Sequence, residues 1–187
     1  MRAGSANAWT AVQLLSVAFV AVLTAAAAQV SFPLPFTPVP FTLQPMVVLI
    51  GAAAIGSRLG AASQILYLTL GVTSLPVFAF APELPQGLGR LLGPTGGYLM
   101  AFPLAAWMTG RLAERGFDRR YGSSILAMGA GLVVIFGAGV LWLAQGVGMT
   151  AALATGLYPF IGVDVVTVVA AGLVLPSAWK LLGRRPS

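Results

Sequence analysis

The sequence predicts an all-α integral membrane protein: a single membrane domain over residues 1–187, built as a six-transmembrane-helix bundle with both termini cytoplasmic. Three observations predict it. Charged residues make up 7% of the chain and hydrophobic ones 58%, whereas a water-facing domain carries about 25% charged residues. The apolar residues fall into six runs, parted by segments rich in Gly, Pro or charge. Nine of the ten Lys and Arg residues (Arg2, Arg58, Arg111, Arg115, Arg119, Arg120, Lys180, Arg184 and Arg185) fall where an even number of spans has been crossed. Only Arg90 falls on the other side, and cytoplasmic loops are the ones that carry excess Lys and Arg.

The first span, 9–30, carries no charge and makes about 30 Å of helix. Arg2 before it and "TAAAAQ" at its end give it some likeness to a signal peptide, but the run exceeds the usual apolar core of one and is interrupted by Gln13. The connector "SFPLPFTPVPFTLQP" follows, with no charge and five prolines between Pro33 and Pro45. Proline breaks helices and cannot donate to a sheet. A stiff, uncharged segment with few N–H donors suits either a tight interfacial turn or a cover over a pocket, with Phe32, Phe36 and Phe41 as apolar cover and Thr42 and Gln44 beneath. The second and third spans are 41–56 and 59–76. Residues 77–95 form a loop with Glu83 and Arg90. The fourth span is 95–110, with Pro103 as a kink. The charged loop "GRLAERGFDRRYG" leads to the fifth span, 123–145. "GVGMTAALATGLYP" reads as a turn before the sixth, 159–182.

The chain has no histidine and no cysteine. That excludes disulfides, thiol nucleophiles, Ser–His catalysis and most zinc sites, so no catalytic residue, metal site or cofactor is expected. No Walker A sequence is present, so nucleotide hydrolysis would have to come from elsewhere. Membrane orientation accounts for the net charge of +6, and nucleic acid is not an expected partner; membrane lipid is.

Asp164 is the sharpest single residue. It lies in "YPFIGVDVVTVVAAG", about 7 Å along the helix from Pro159. Phe160, Asp164, Thr167 and Ala171 follow i, i+4, i+7, i+11 spacing and share a face. An acid inside a span faces a cavity, an ion or a ligand, or else is an interfacial residue capped by local backbone. "GPTGGYLM" is the second feature. Pro94 and Thr95 start a helix, Gly96 and Gly97 permit close approach, and Tyr98 adds an aromatic hydroxyl. This stretch serves either helix packing or a polar oxygen of a ligand. Arg90 either steers an anion or is simply solvated. Small residues at four-residue spacing (Ala21 and Ala25, Ala52 and Gly56, Gly56 and Gly60) pack the bundle internally or dock another membrane subunit.

Four strings, "PLPFTPVPFTLQ", "GSRLGAASQILYLTLGVTSLPVF", "LLGPTGGYLMAFPLAA" and "PFIGVDVVT", occur in this order with spacing that resembles the BioY family, over residues 31 to about 170. These are the biotin-specific S components of energy-coupling-factor (ECF) transporters. The resemblance implies a six-helix bundle in the bacterial cytoplasmic (inner) membrane that captures biotin on the outer side beneath a long first loop. Transport would be driven by a transmembrane subunit and two cytoplasmic ATPases, or the chain would self-associate. Ala21 and Ala25 would dock the partner. Taken with the reading of the residues themselves, the candidate binding residues are Asp164, Thr167, Tyr98, Gly96, Gly97, Thr95, Arg90, Phe36, Thr42, Gln44 and Phe160. Family members commonly carry a lysine three residues after the acid, where this chain has Thr167, and a glycine before it, where this chain has Val163. Asp164 suits the ureido N–H groups of biotin; its valerate is left to Arg90, the "GPTGG" backbone, Tyr98 or water. The alternatives are an S component for another vitamin, an ion-coupled secondary transporter using Asp164, and an assembly subunit without a ligand.

Overall fold

A computed structural model describes residues 3–81 and 84–181. Arg2, Glu83, Arg184 and Arg185, which enter the charge pattern, lie outside the described residues. In chain order the elements are α1 (Ala3–Gln29), the short strands β1 (Ser31–Phe32) and β2 (Phe41–Thr42), then α2 (Gln44–Ile55), α3 (Ser57–Val72), α4 (Leu88–Leu92), α5 (Gly96–Glu114), a 3-10 turn (Phe117–Arg119), α6 (Tyr121–Val147), α7 (Met149–Gly156) and α8 (Tyr158–Leu181). Three stretches are long and apolar enough to cross a membrane: Trp9–Gln29 of α1, α6 and α8, with mean hydropathy 2.1, 2.3 and 2.0. α2 is as apolar, but its 12 residues reach only about 18 Å.

α5 is the central helix, packed on α6, α3 and α2. α1 lies against α3 and α2, and α8 against α6 and α2. Small residues set these distances. A Cβ on Gly60 would lie 2.8 Å from the Cα of Ala52, so α3 and α2 touch backbone to backbone. α2 passes into α3 with no loop. Gly56 makes the joint at φ +89°, a conformation that favours glycine. Glu114 at the end of α5 holds that joint, accepting from the Ser57 backbone N–H (2.8 Å) and hydroxyl (2.7 Å).

Two connections differ from the sequence-based expectation. The stretch read as a turn before the last span contains the helix α7, whose Ala-rich "MTAALATG" favours helix between bracketing glycines. The loop 77–95 contains the one-turn α4. The proline connector closes on itself: Ser31 pairs with Thr42 and Phe32 with Phe41 in an antiparallel ladder. Its prolines lie in the intervening loop or past the ladder, where their missing N–H costs no rung.

Candidate ligand-binding site

α2, α5 and α8 all begin at one end of the bundle, and their first turns line a common cavity. Three helix N-termini thus bring partial positive charge to one space. The cavity is partly open to the outside, with about 600 Å³ of empty space when the solvent at its mouth is included. Its walls are mostly apolar: Phe78 from the second loop, Leu99 and Phe102 from α5, Ile135 and Phe136 from α6, and Phe160 from α8. The proline connector adds Val39, Pro40 and Phe41. Tyr98, Phe136 and Phe160 form a continuous aromatic side, with ring centroids 5.8 and 6.0 Å apart. Gly139 makes room for it, since a Cβ there would sit 2.2 Å from the Tyr98 ring.

The polar groups are few and under-satisfied. Asp164 is 4% exposed and lines the cavity, and no hydrogen bond or ion pair from the described residues reaches its carboxylate. Arg90 is 2% exposed; its Nη2 donates to the Ala79 carbonyl, and its Nε is buried without a partner. Burial lowers the Arg90 pKa from the usual arginine range. The Thr95 hydroxyl is likewise buried without a partner. A buried polar group lacking a partner costs about 1–3 kcal/mol, so two such groups, Arg90 Nε and the Thr95 hydroxyl, together with the unpartnered Asp164 carboxylate around one cavity point to a ligand that supplies what is missing. Asp164 and Arg90 do not neutralise each other: the only ion pair among the described residues is Arg111–Glu114 at the far end.

The other sequence-derived candidates divide. Tyr98, Thr42, Gln44 and Phe160 line the cavity. The Tyr98 hydroxyl is already engaged, donating to the Gly156 carbonyl (2.8 Å), so its ring is the part offered to a ligand. Gly96 and Gly97 do not line it. Their smallness serves packing: a Cβ on Gly96 would overlap the Leu91 carbonyl, and one on Gly97 would meet Trp142 at 2.3 Å. Phe36 is 60% exposed at the tip of the connector, away from the cavity. Thr167 is half-buried at the edge of the inward face, where Val168 continues the line from Asp164. Ala21 is 1% exposed and Ala25 packs against the same core, so in this conformation the pair faces the chain's own bundle and not a partner.

Sequence reasoning missed Phe78, Phe102, Ile135 and Phe136, which lie in runs where every neighbour is apolar. It also missed Tyr67, a hydroxyl in the middle of an apolar helix that needs a partner; that need was the available signal. Tyr67 is fully buried and is hydrogen-bonded to Gln44 (2.7 Å).

Residues 3–184 match the BioY family. The chain belongs to the BioY family. Curated relatives include a probable biotin transporter BioY of Pyrococcus horikoshii, 39% identical over 84% of this chain and 90% of that protein. The biotin transporter BioY of Thermotoga maritima is 37% identical over 90% of this chain and 96% of its own length. Among solved structures, the S-component for biotin from an ECF-type ABC transporter matches with a TM-score of 0.80 at 23% identity, covering 93% of this chain and 94% of that one. That likeness shows that the BioY chain has the S-component fold.

Proposed function

We propose that this BioY chain captures biotin in the cavity at the α2–α5–α8 end and takes it up across the cytoplasmic membrane. It acts as a transporter subunit and not as an enzyme. One observation carries the reading: an unpaired buried carboxylate and a buried guanidinium with a free N–H line the same apolar cavity without pairing with each other. Biotin offers the matching pattern. Its ureido ring donates two N–H groups, its valerate is anionic, and an apolar ring system lies between them. Asp164 accepts from the ureido, Arg90 and Thr95 bind the carboxylate, and the aromatic side packs the rings. Arg90 thereby takes the part that a lysine at position 167 would otherwise play.

In this reading six segments cross the bilayer, α1, α3, α5, α6 and α8 as helices and α2 together with residues 41–43 that lead into it, and both termini are cytoplasmic. Every Lys and Arg among the described residues other than Arg90 lies at the end away from the cavity or at its helix termini, which supports an outward-facing cavity. A separate transmembrane subunit and two ATPases supply the energy, or copies of the chain associate. The test is a biotin titration of the chain purified alone in detergent. Saturable binding with thermal stabilisation is expected; absence of both in folded protein overturns the assignment.

A further inference from the structure

The second loop, residues 73–87, contributes Phe78 and Ala79 to the cavity, yet across Val77–Phe80 its only backbone hydrogen bond among the described residues is from Val77 to Leu75. Side chains hold it. Gln29 donates to the Pro76 carbonyl, Tyr67 to Val77 (3.2 Å), Arg90 to Ala79 and Ser31 to Phe80 (3.0 Å). Two of these four join the loops: Ser31 belongs to the first loop, on β1, and Tyr67 continues into that loop through Gln44. The Tyr67 hydroxyl accepts from Gln44 Nε2 (2.7 Å), and Gln44 Oε1 accepts from the Thr42 hydroxyl (3.2 Å). Three hydrogen bonds therefore run unbroken from Thr42, at the base of the first loop, to Val77, at the start of the second. Tyr67 does not line the cavity; its ring packs edge-on to Phe78 (5.6 Å) and stacks near Phe102 (6.4 Å).

We infer that Tyr67 is a positioning residue that couples the two loops around the cavity from their inner side, beside the outer Ser31–Phe80 bond, so that breaking the Thr42–Gln44–Tyr67–Val77 chain loosens both loops together and speeds ligand release. The part concerning release rests on biotin being the ligand; the coupling of the loops does not. Each member of the chain is bonded to the next, so loss of one loosens the others, and the central Gln44–Tyr67 bond is buried where water offers no substitute.

Tyr67→Phe keeps both ring contacts and removes only the hydroxyl. In ligand-free protein, hydrogen exchange at residues 39–42 and 77–81 should rise together, at least fivefold. Gln44→Leu should produce the same rise, and the double variant no more than the larger single one, because the two act on one chain. Biotin release from Tyr67→Phe should quicken at least fivefold, with association within twofold of the parent. Exchange that rises in one segment only, increments that multiply, or a release rate within twofold would each overturn the inference. Absence of biotin binding in the parent would refute the functional reading instead, and the exchange measurements would still decide the coupling.

Discussion

Asp164→Asn separates a ligand contact from a structural one because the two roles predict opposite signs. The carboxylate is 4% exposed and has no partner among the described residues. As a ligand contact, it accepts ureido N–H groups, and hydrogen bonds to charged groups contribute about 1.5–3 kcal/mol each. Asparagine keeps one acceptor and turns an NH₂ toward the ligand, so at least one such bond is lost. The expected rise in Kd is roughly 10–150-fold. The ligand-free protein should not suffer. A neutral amide is cheaper to bury than an unpaired carboxylate, so its melting temperature should hold or rise by about 2–4 °C per kcal/mol gained. The assay is a biotin titration and a thermal melt of parent and variant in the same detergent. Affinity within twofold of the parent refutes the ligand role. A melting temperature that falls along with the affinity assigns the residue to structure.

Arg90→Leu should weaken biotin binding at least tenfold, and the variant should no longer distinguish biotin from its neutral carboxamide; retained discrimination in titrations would place the carboxylate elsewhere. Gly60→Leu drives a side chain into the Ala52 backbone, 2.8 Å away, and should destabilise the bundle by about 1–3 kcal/mol in denaturation experiments. Glu114, past the apolar part of α5, is held below the ordinary glutamate range by the hydrogen bonds from the Ser57 backbone and hydroxyl. Its folded-state pKa is depressed, so its contribution is present above the unfolded value and lost as pH falls through the folded one. The melting temperature should therefore drop more between pH 6 and pH 3 in the parent than in Glu114→Gln. Thr167→Lys should tolerate or improve binding, since a lysine there lies one turn from Asp164; complete loss in folded protein would argue against a carboxylate near that turn.

The long helices were legible because they run as uncharged apolar stretches, while the short α4 and α7 were not, and the site was legible where polarity stood out against apolar runs. Asp164, Arg90, Gln44 and Thr95 are rare polar residues in apolar surroundings, and all four line the cavity. Which side of each helix faces inward was not legible. In α1, Val20, Ala21 and Thr24 are buried while Phe19, Val22 and Leu23 are exposed. Lipid and protein interior are equally apolar, so the amphipathic stripe that orients a helix in a water-soluble protein is absent. For the same reason Ala21 and Ala25 left both internal packing and partner docking open to reading, and Ile135 and Phe136 were indistinguishable from their exposed neighbours. Gly96 and Gly97 marked close approach correctly, but proximity to a helix and proximity to a ligand leave the same trace in a sequence.

The ladder that closes the proline connector bears on how heat affects escape from the cavity. Two residue pairs close its ladder, and four of the eight residues from 33 to 40 are proline. Such a segment has few alternative shapes to explore once detached, so swinging away yields little disorder and is opposed by the bonds at its root. It should behave as a stiff tongue on a small hinge. Warming should then speed departure mainly through the enthalpy of those few bonds, with little of the entropic gain that accompanies melting of a flexible flap.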